Sequence, residues 1–156
     1  MDCERFFRRP GIYDEPGGEY TDNAFRFALF SKAALQICKD TRFIPDVMHA
    51  HDWPSALVPA FLKTWDRILS PLARTASVLT IHNIGYQGVH SAHAYPYFGV
   101  GWEHFVSDRF EDHGQVNLLK AGIAFADALT TVSPSRAQSV SGLRLSKSGK
   151  RSQRSR

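Results

Sequence analysis

The chain has 156 residues, 43% hydrophobic and 12% aromatic, which is enough to bury a core and too apolar for disorder along its whole length. Its formal charge of +4 is unevenly placed: six of 19 Lys and Arg follow residue 143, all 15 Asp and Glu precede it, and the body is slightly acidic. No apolar run reaches the length of a membrane span and the opening MDCERFFRR lacks the apolar stretch of a secretory signal, so the chain reads as soluble and intracellular.

In chain order, residues 22–40 (DNAFRFALFSKAALQICKD) open on an Asp/Asn cap signal. They set Phe27, Phe30, Ala34, Leu35 and Ile37 near helical spacing, which predicts a helix packed on an apolar surface. Pro45 and Asp46 introduce a short strand, VMHA at 47–50, and HDWPSALVPAFLKTW then reads as a loop entering a helix. A second strand, SVLTI at 77–81, breaks into the loop HNIGYQG. After a long irregular segment, QVNLLKAGIAFAD predicts another helix. The strand-like ALTTVS follows and ends at Ser133-Pro134, a cap residue with proline at the first helical position. The last stretch, SGLRLSKSGKRSQRSR, is Ser, Arg, Lys and Gly with few apolar side chains, so it is expected to be a disordered tail. It has no aromatic residue for stacking on bases and no reader motif, so a nucleic-acid partner is not expected. Cys3 and Cys38 carry no metal or redox spacing and are expected to serve packing.

Strands alternating with helices imply βαβ units and a Rossmann-like parallel α/β sheet. Such sheets bind ligands outside the carboxyl ends of their strands. Those ends carry His49, His51 and Asp52, then His82 and Asn83, then Ser133, so polar groups from three places in the chain converge on one edge. A cap role is the better account of Ser133. His49 and His51, at i and i+2 on an extended backbone, would point the same way, as two metal ligands could. The spacing argues against a metal, because Asp52 follows His51 directly and Trp53 comes next. Gly-x-Ser-x-Gly, Gly-x-Gly-x-x-Gly and Walker signatures do not occur in the sequence.

HAHDW with SALVPAFLK, then TIHNIGYQG, then VNLLKAGIAFADALTTVSPSRA, preceded by RPGIYDEPGGEYTDNAFRFALFSKAAL, resemble the bacterial glycogen synthases and plant starch synthases of glycosyltransferase family 5. The resemblance covers roughly residues 6–139. It implies part of the N-terminal Rossmann-like domain of a GT-B enzyme at 1–139, with 140–156 a separate basic tail. It also implies retaining transfer of glucose from ADP-glucose to the non-reducing end of an α-1,4-glucan, with no cofactor and no metal. His82 matches the histidine whose ring approaches the donor sugar's 6-hydroxyl and whose backbone carbonyl approaches the anomeric centre. Asp52 matches the cleft aspartate of HxHDW, and Tyr13 a tyrosine of the substrate cleft. Asn83, Gln87 and Gly88 belong to the loop the sugar meets.

The family's Lys-Thr-Gly-Gly-Leu loop and its nucleotide-binding second domain have no counterpart in this sequence, so little activity is expected of this chain alone. A cytoplasmic location is expected, or a plastid one in a plant or alga. The alternative is a non-catalytic α-glucan or partner binder using Tyr95, Tyr97, Phe98 and Trp102.

Overall fold

A computed structural model describes residues 3–132. Ser133 and the basic tail lie outside the described residues. A short helix, α1 (Glu4–Phe7), precedes a hairpin of β1 (Asp14–Glu15) and β2 (Gly18–Glu19), and the long helix α2 (Asn23–Asp40) follows. The centre of the molecule is β3 (Val47–His51), α3 (Asp52–Ser55), α4 (Leu57–Thr64), β4 (Ala76–Ile81), α5 (Leu118–Phe125) and β8 (Ala128–Thr131). Between β4 and α5 lie three short strands, β5 (Val89–Ser91), β6 (Glu111–Asp112) and β7 (Gln115–Asn117), with 3₁₀ turns at Ala92–Phe98 and Trp102–His104.

The expected parallel sheet is present, with β4 between β3 and β8. His51 pairs with Thr80 and Ile81 with Thr131, so the carboxyl ends of all three strands finish on one edge. Ala50, Leu79 and Ile81 bury their side chains with those of α2, α4 and α5 in one continuous core. Because side chains alternate along a strand, His49 and His51 of β3 fall on the opposite face together with Thr80 and Thr130. His49 Nε2 lies 2.6 Å from Thr80 Oγ1, whose hydroxyl bonds that of Thr130. Helix α5 packs close because of Gly122, where an added Cβ would meet Ala56 Cβ at 2.7 Å and Leu79 Cδ2 at 2.9 Å.

Several sequence expectations need correction. The buried stripe of α2 runs through Ala24, Phe27, Ala28, Ser31, Leu35 and Cys38, while Phe30 and Ile37 are 48% and 56% exposed. The helix carries apolar residues on more than one face, so periodicity alone could not say which face turns inward. Arg26 sits in that stripe, 2% exposed, because the backbone carbonyls of Phe6 and Ile12 and the amide oxygen of Asn23 accept its hydrogen bonds. Asp22 makes no side-chain cap; its carboxylate instead pairs with Arg9 at 2.6 and 2.8 Å. The helix expected from Gln115 starts at Leu118, because Gln115–Asn117 pair with β5 and β6 before Asn117 caps the helix by accepting from Lys120 N at 2.9 Å. Of the four aromatics in the alternative glucan-binding reading, Tyr95 and Phe98 are fully buried with Phe110, and Tyr97 and Trp102 face solvent.

Candidate active site at the carboxyl edge of the parallel sheet

Chain geometry at the end of β3 forces the first feature. Asp52 begins α3 with φ +52°, a left-handed conformation that Asp and Asn tolerate better than other side chains. That turn carries its carboxylate across to the end of β4, where Oδ1 accepts from His82 N at 2.7 Å and Asn83 N at 3.3 Å. Asp52, His82 and Asn83 are thus brought together as expected, with Asp52 bonded to backbone rather than to either side chain. Asn83 turns its own oxygen onto Gly85 N at 3.0 Å and closes the loop locally.

The aim of the His82 carbonyl follows from peptide geometry. No cis peptide occurs among the described residues, and in a planar trans unit C=O points opposite to the next N–H. Since the Asn83 N–H faces the Asp52 carboxylate, the His82 carbonyl points away from Asp52.

The remaining predicted residues are placed one step further out. Gly88, with φ +61°, lies flat on the indole of Trp53, and a Cβ there would meet Trp53 Cε3 at 2.5 Å. Tyr13 lies tilted against the same indole, ring centres 5.5 Å apart and planes at 45°, and Phe27 meets it edge-on at 4.7 Å. Trp53 therefore joins the Tyr13 hairpin to the Gly88 loop, a role that HAHDW did not disclose. Gln87 is drawn away from the edge: its Oε1 accepts from Asn117 Nδ2 at 2.6 Å and its Nε2 donates to Ile84 O. Asn117, 1% exposed, also donates to Asp112 Oδ2 at 2.9 Å, and this bond, with those from Lys120, holds the Asp112 carboxyl below the usual carboxylate range. Backbone bonds from Leu118 N to Gly88 O and Leu119 N to Gln87 O stitch the loop onto the start of α5. Asn117 escaped the sequence reading; its one signal was an Asn immediately before a Leu-Leu-Lys run, a cap position.

Histidine electrostatics give a pH expectation. Burial, with His49 and His82 beside it, pushes the His51 imidazole down, and burial also pushes down His90 and His104. A folded imidazole with a depressed pKa refuses a proton that the unfolded chain accepts once pH falls below its ordinary value of about 6.5. Folding stability is therefore unaffected above that pH and declines as pH drops through it. His90 is the leading contributor, because it packs on Trp53 and its Nε2 is buried without a hydrogen-bond partner among the described residues. Urea midpoints should fall between pH 7.5 and 5.5, and His90→Phe should flatten the decline. An unchanged slope in that variant would mean that another group controls it.

The model of the starch synthase catalytic domain matches residues 1–149. Over 143 residues the chain is 46% identical to the glycogen synthase of Treponema denticola, covering 90% of this chain and 28% of that protein. The glycogen synthase of Thermodesulfovibrio yellowstonii is 47% identical over 140 residues, again 28% of its length. Among solved structures, the catalytic domain of Starch Synthase IV from Arabidopsis thaliana, bound to ADP and acarbose, superposes with a TM-score of 0.72 at 33% identity. The match covers 86% of this chain and 27% of that one. The chain thus spans little more than a quarter of the curated relatives' length, and its parallel sheet is part of a GT-B glycosyltransferase fold. On these sequence and fold matches, the chain belongs to the starch synthase catalytic domain family.

Proposed function

We propose that this chain supplies the donor-sugar side of a retaining glucosyltransferase site that moves glucose from ADP-glucose to the non-reducing end of an α-1,4-glucan. The observation that carries the reading is the Asp52 carboxylate held on the amides of His82 and Asn83 at the carboxyl edge of the sheet. Retaining transfer develops positive charge at the anomeric carbon, and a fixed carbonyl dipole aimed there stabilises it without reorganising as the reaction proceeds. In this reading the His82 carbonyl is that dipole and the His82 ring contacts the sugar. Asn83 and Gly88 shape the loop, Gln87 ties it to Asn117, and Tyr13 stands over Trp53 at the rim. ADP and acarbose in the Arabidopsis neighbour support a nucleotide sugar and an α-glucan as the two ligands. Among the described residues no helix is long and apolar enough to cross a membrane, and a cytoplasmic or plastid setting is part of this proposal.

The test places residues 1–139 of this chain in the Treponema denticola enzyme in exchange for the matching segment, and measures glucosyl transfer from ADP-glucose to glycogen. An active chimaera that loses about 10²-fold in rate with His82→Ala is the expected result, since alanine removes the ring and keeps the carbonyl. A chimaera indifferent to His82→Ala would overturn the assignment of the sugar contact.

A further inference from the structure

His51 has no part in the reading above, yet it touches the residue at its centre. His51 Nδ1 lies 3.2 Å from His82 Nε2, with the rings 5.4 Å apart and inclined by 35°. A hydrogen bond between two neutral imidazoles needs one nitrogen carrying the proton and the other offering its lone pair, so the contact couples the two tautomers. His51 is itself fixed. Its backbone N–H donates to Ser55 Oγ at 2.6 Å, the Ser55 hydroxyl donates back to His51 O at 2.7 Å, and its ring lies tilted by 32° against that of His49, the ring centres 4.2 Å apart. His49 is tied in turn to Thr80 and, through it, to Thr130. The His82 ring thus meets a supported row that crosses all three strands. Both rings are exposed, and a contact that narrows the rotamers of a surface side chain removes freedom it otherwise keeps.

We propose that His51 is a positioning residue for His82, fixing its ring in one rotamer and one tautomer so that it meets the glucosyl unit already oriented. This rests on the reading that His82 contacts the donor sugar. Asp52 governs the backbone at 82 and 83 and His51 governs the ring, so the two halves of one residue are set by consecutive side chains.

Nitrogen-15 NMR of the histidine rings in the 156-residue chain without ligand provides the first test. Complementary tautomers are expected at His51 Nδ1 and His82 Nε2. His51→Phe, which keeps a flat ring and loses the bond, should shift the His82 ring to an averaged tautomer while amide spectra elsewhere stay in place. His51→Gln, whose amide can still hydrogen-bond the ring, should restore the bond and move the His82 shifts back toward wild type; it also serves if the phenylalanine variant does not fold. In the chimaera, His51→Phe should lower kcat by about tenfold at nearly unchanged KM for ADP-glucose, as expected of a misoriented group, and His51→Gln should recover most of it.

His82 ring shifts identical in wild type and His51→Phe would overturn the inference, as would equal loss of kcat in both variants. A silent His51→Phe beside a damaging His82→Ala would remove this inference and leave the function standing. Silence of both would remove the function as well.

Discussion

Asp52→Ala in the active chimaera should lower the rate of glucosyl transfer by about 10²–10³-fold, more than removal of the His82 ring. Alanine takes away the acceptor for two amides, at 2.7 and 3.3 Å, and places an ordinary side chain at a φ of +52°. The peptide between His82 and Asn83 is then free to rotate, and the carbonyl it carries loses its direction. Displacement of a reacting group by an ångström is enough for about a hundredfold loss, whereas His82→Ala leaves that carbonyl in place. Asp52→Asn separates aim from charge. Asparagine tolerates the left-handed region and keeps an oxygen for the same amides, so it should retain activity to within about tenfold. Equal losses for alanine and asparagine would show that the negative charge itself matters and that the latch account is insufficient.

Gly88→Ala should destabilise the fold more than any other single methyl added to this loop. The residue holds φ +61°, where an L side chain costs roughly 1–2 kcal/mol. The new Cβ would stand 2.5 and 2.9 Å from two atoms of Trp53, which is 6% exposed and backed edge-on by Phe27, so the indole has little room to retreat. Overpacking of that kind adds roughly 1–3 kcal/mol. The total, about 2–5 kcal/mol, is a large part of the 5–15 kcal/mol that holds a typical domain together. Gly17→Ala is the control, because nothing lies within 4 Å of its added Cβ; its effect should stay within about 0.5 kcal/mol. Urea unfolding of both variants decides the matter: matched midpoints would mean that Trp53 yields, and the indole would lose its place as the brace of the site.

The parts of the site that could be read from sequence are those fixed by strand periodicity. Asp52, His82 and Asn83 follow directly on β3 and β4, and a parallel sheet places the ends of its strands side by side whatever the rest of the chain does. What could not be read depends on partners far along the chain. Gln87 lies by sequence in the loop after β4, yet its amide is engaged by Asn117, thirty residues on. Trp53 looked like part of a helix start and proved to be the floor beneath Gly88 and Tyr13. Tyr95 and Phe98 show the commoner fate of a cluster of aromatics, which is burial against one another. The inward face of α2 was misjudged because Arg26 and Asn23 are buried there by bonds to loop carbonyls, whose position no helical periodicity encodes.

The order of the sheet also bears on how the site is assembled. Val47 pairs with Ala76, and Val78 pairs with the more distant Ala128, so the loop that closes β3 onto β4 is the shorter of the two. Each doubling of loop length costs only about 0.6 kcal/mol in closure entropy, but the shorter closure still comes first where strengths are otherwise equal. The Asp52 latch and the His51–His82 contact both lie within that first βαβ unit. The candidate site therefore lies in the half of the sheet with the shorter closure, and β8, arriving by its crossover helix α5, adds Thr130 to the end of the histidine row.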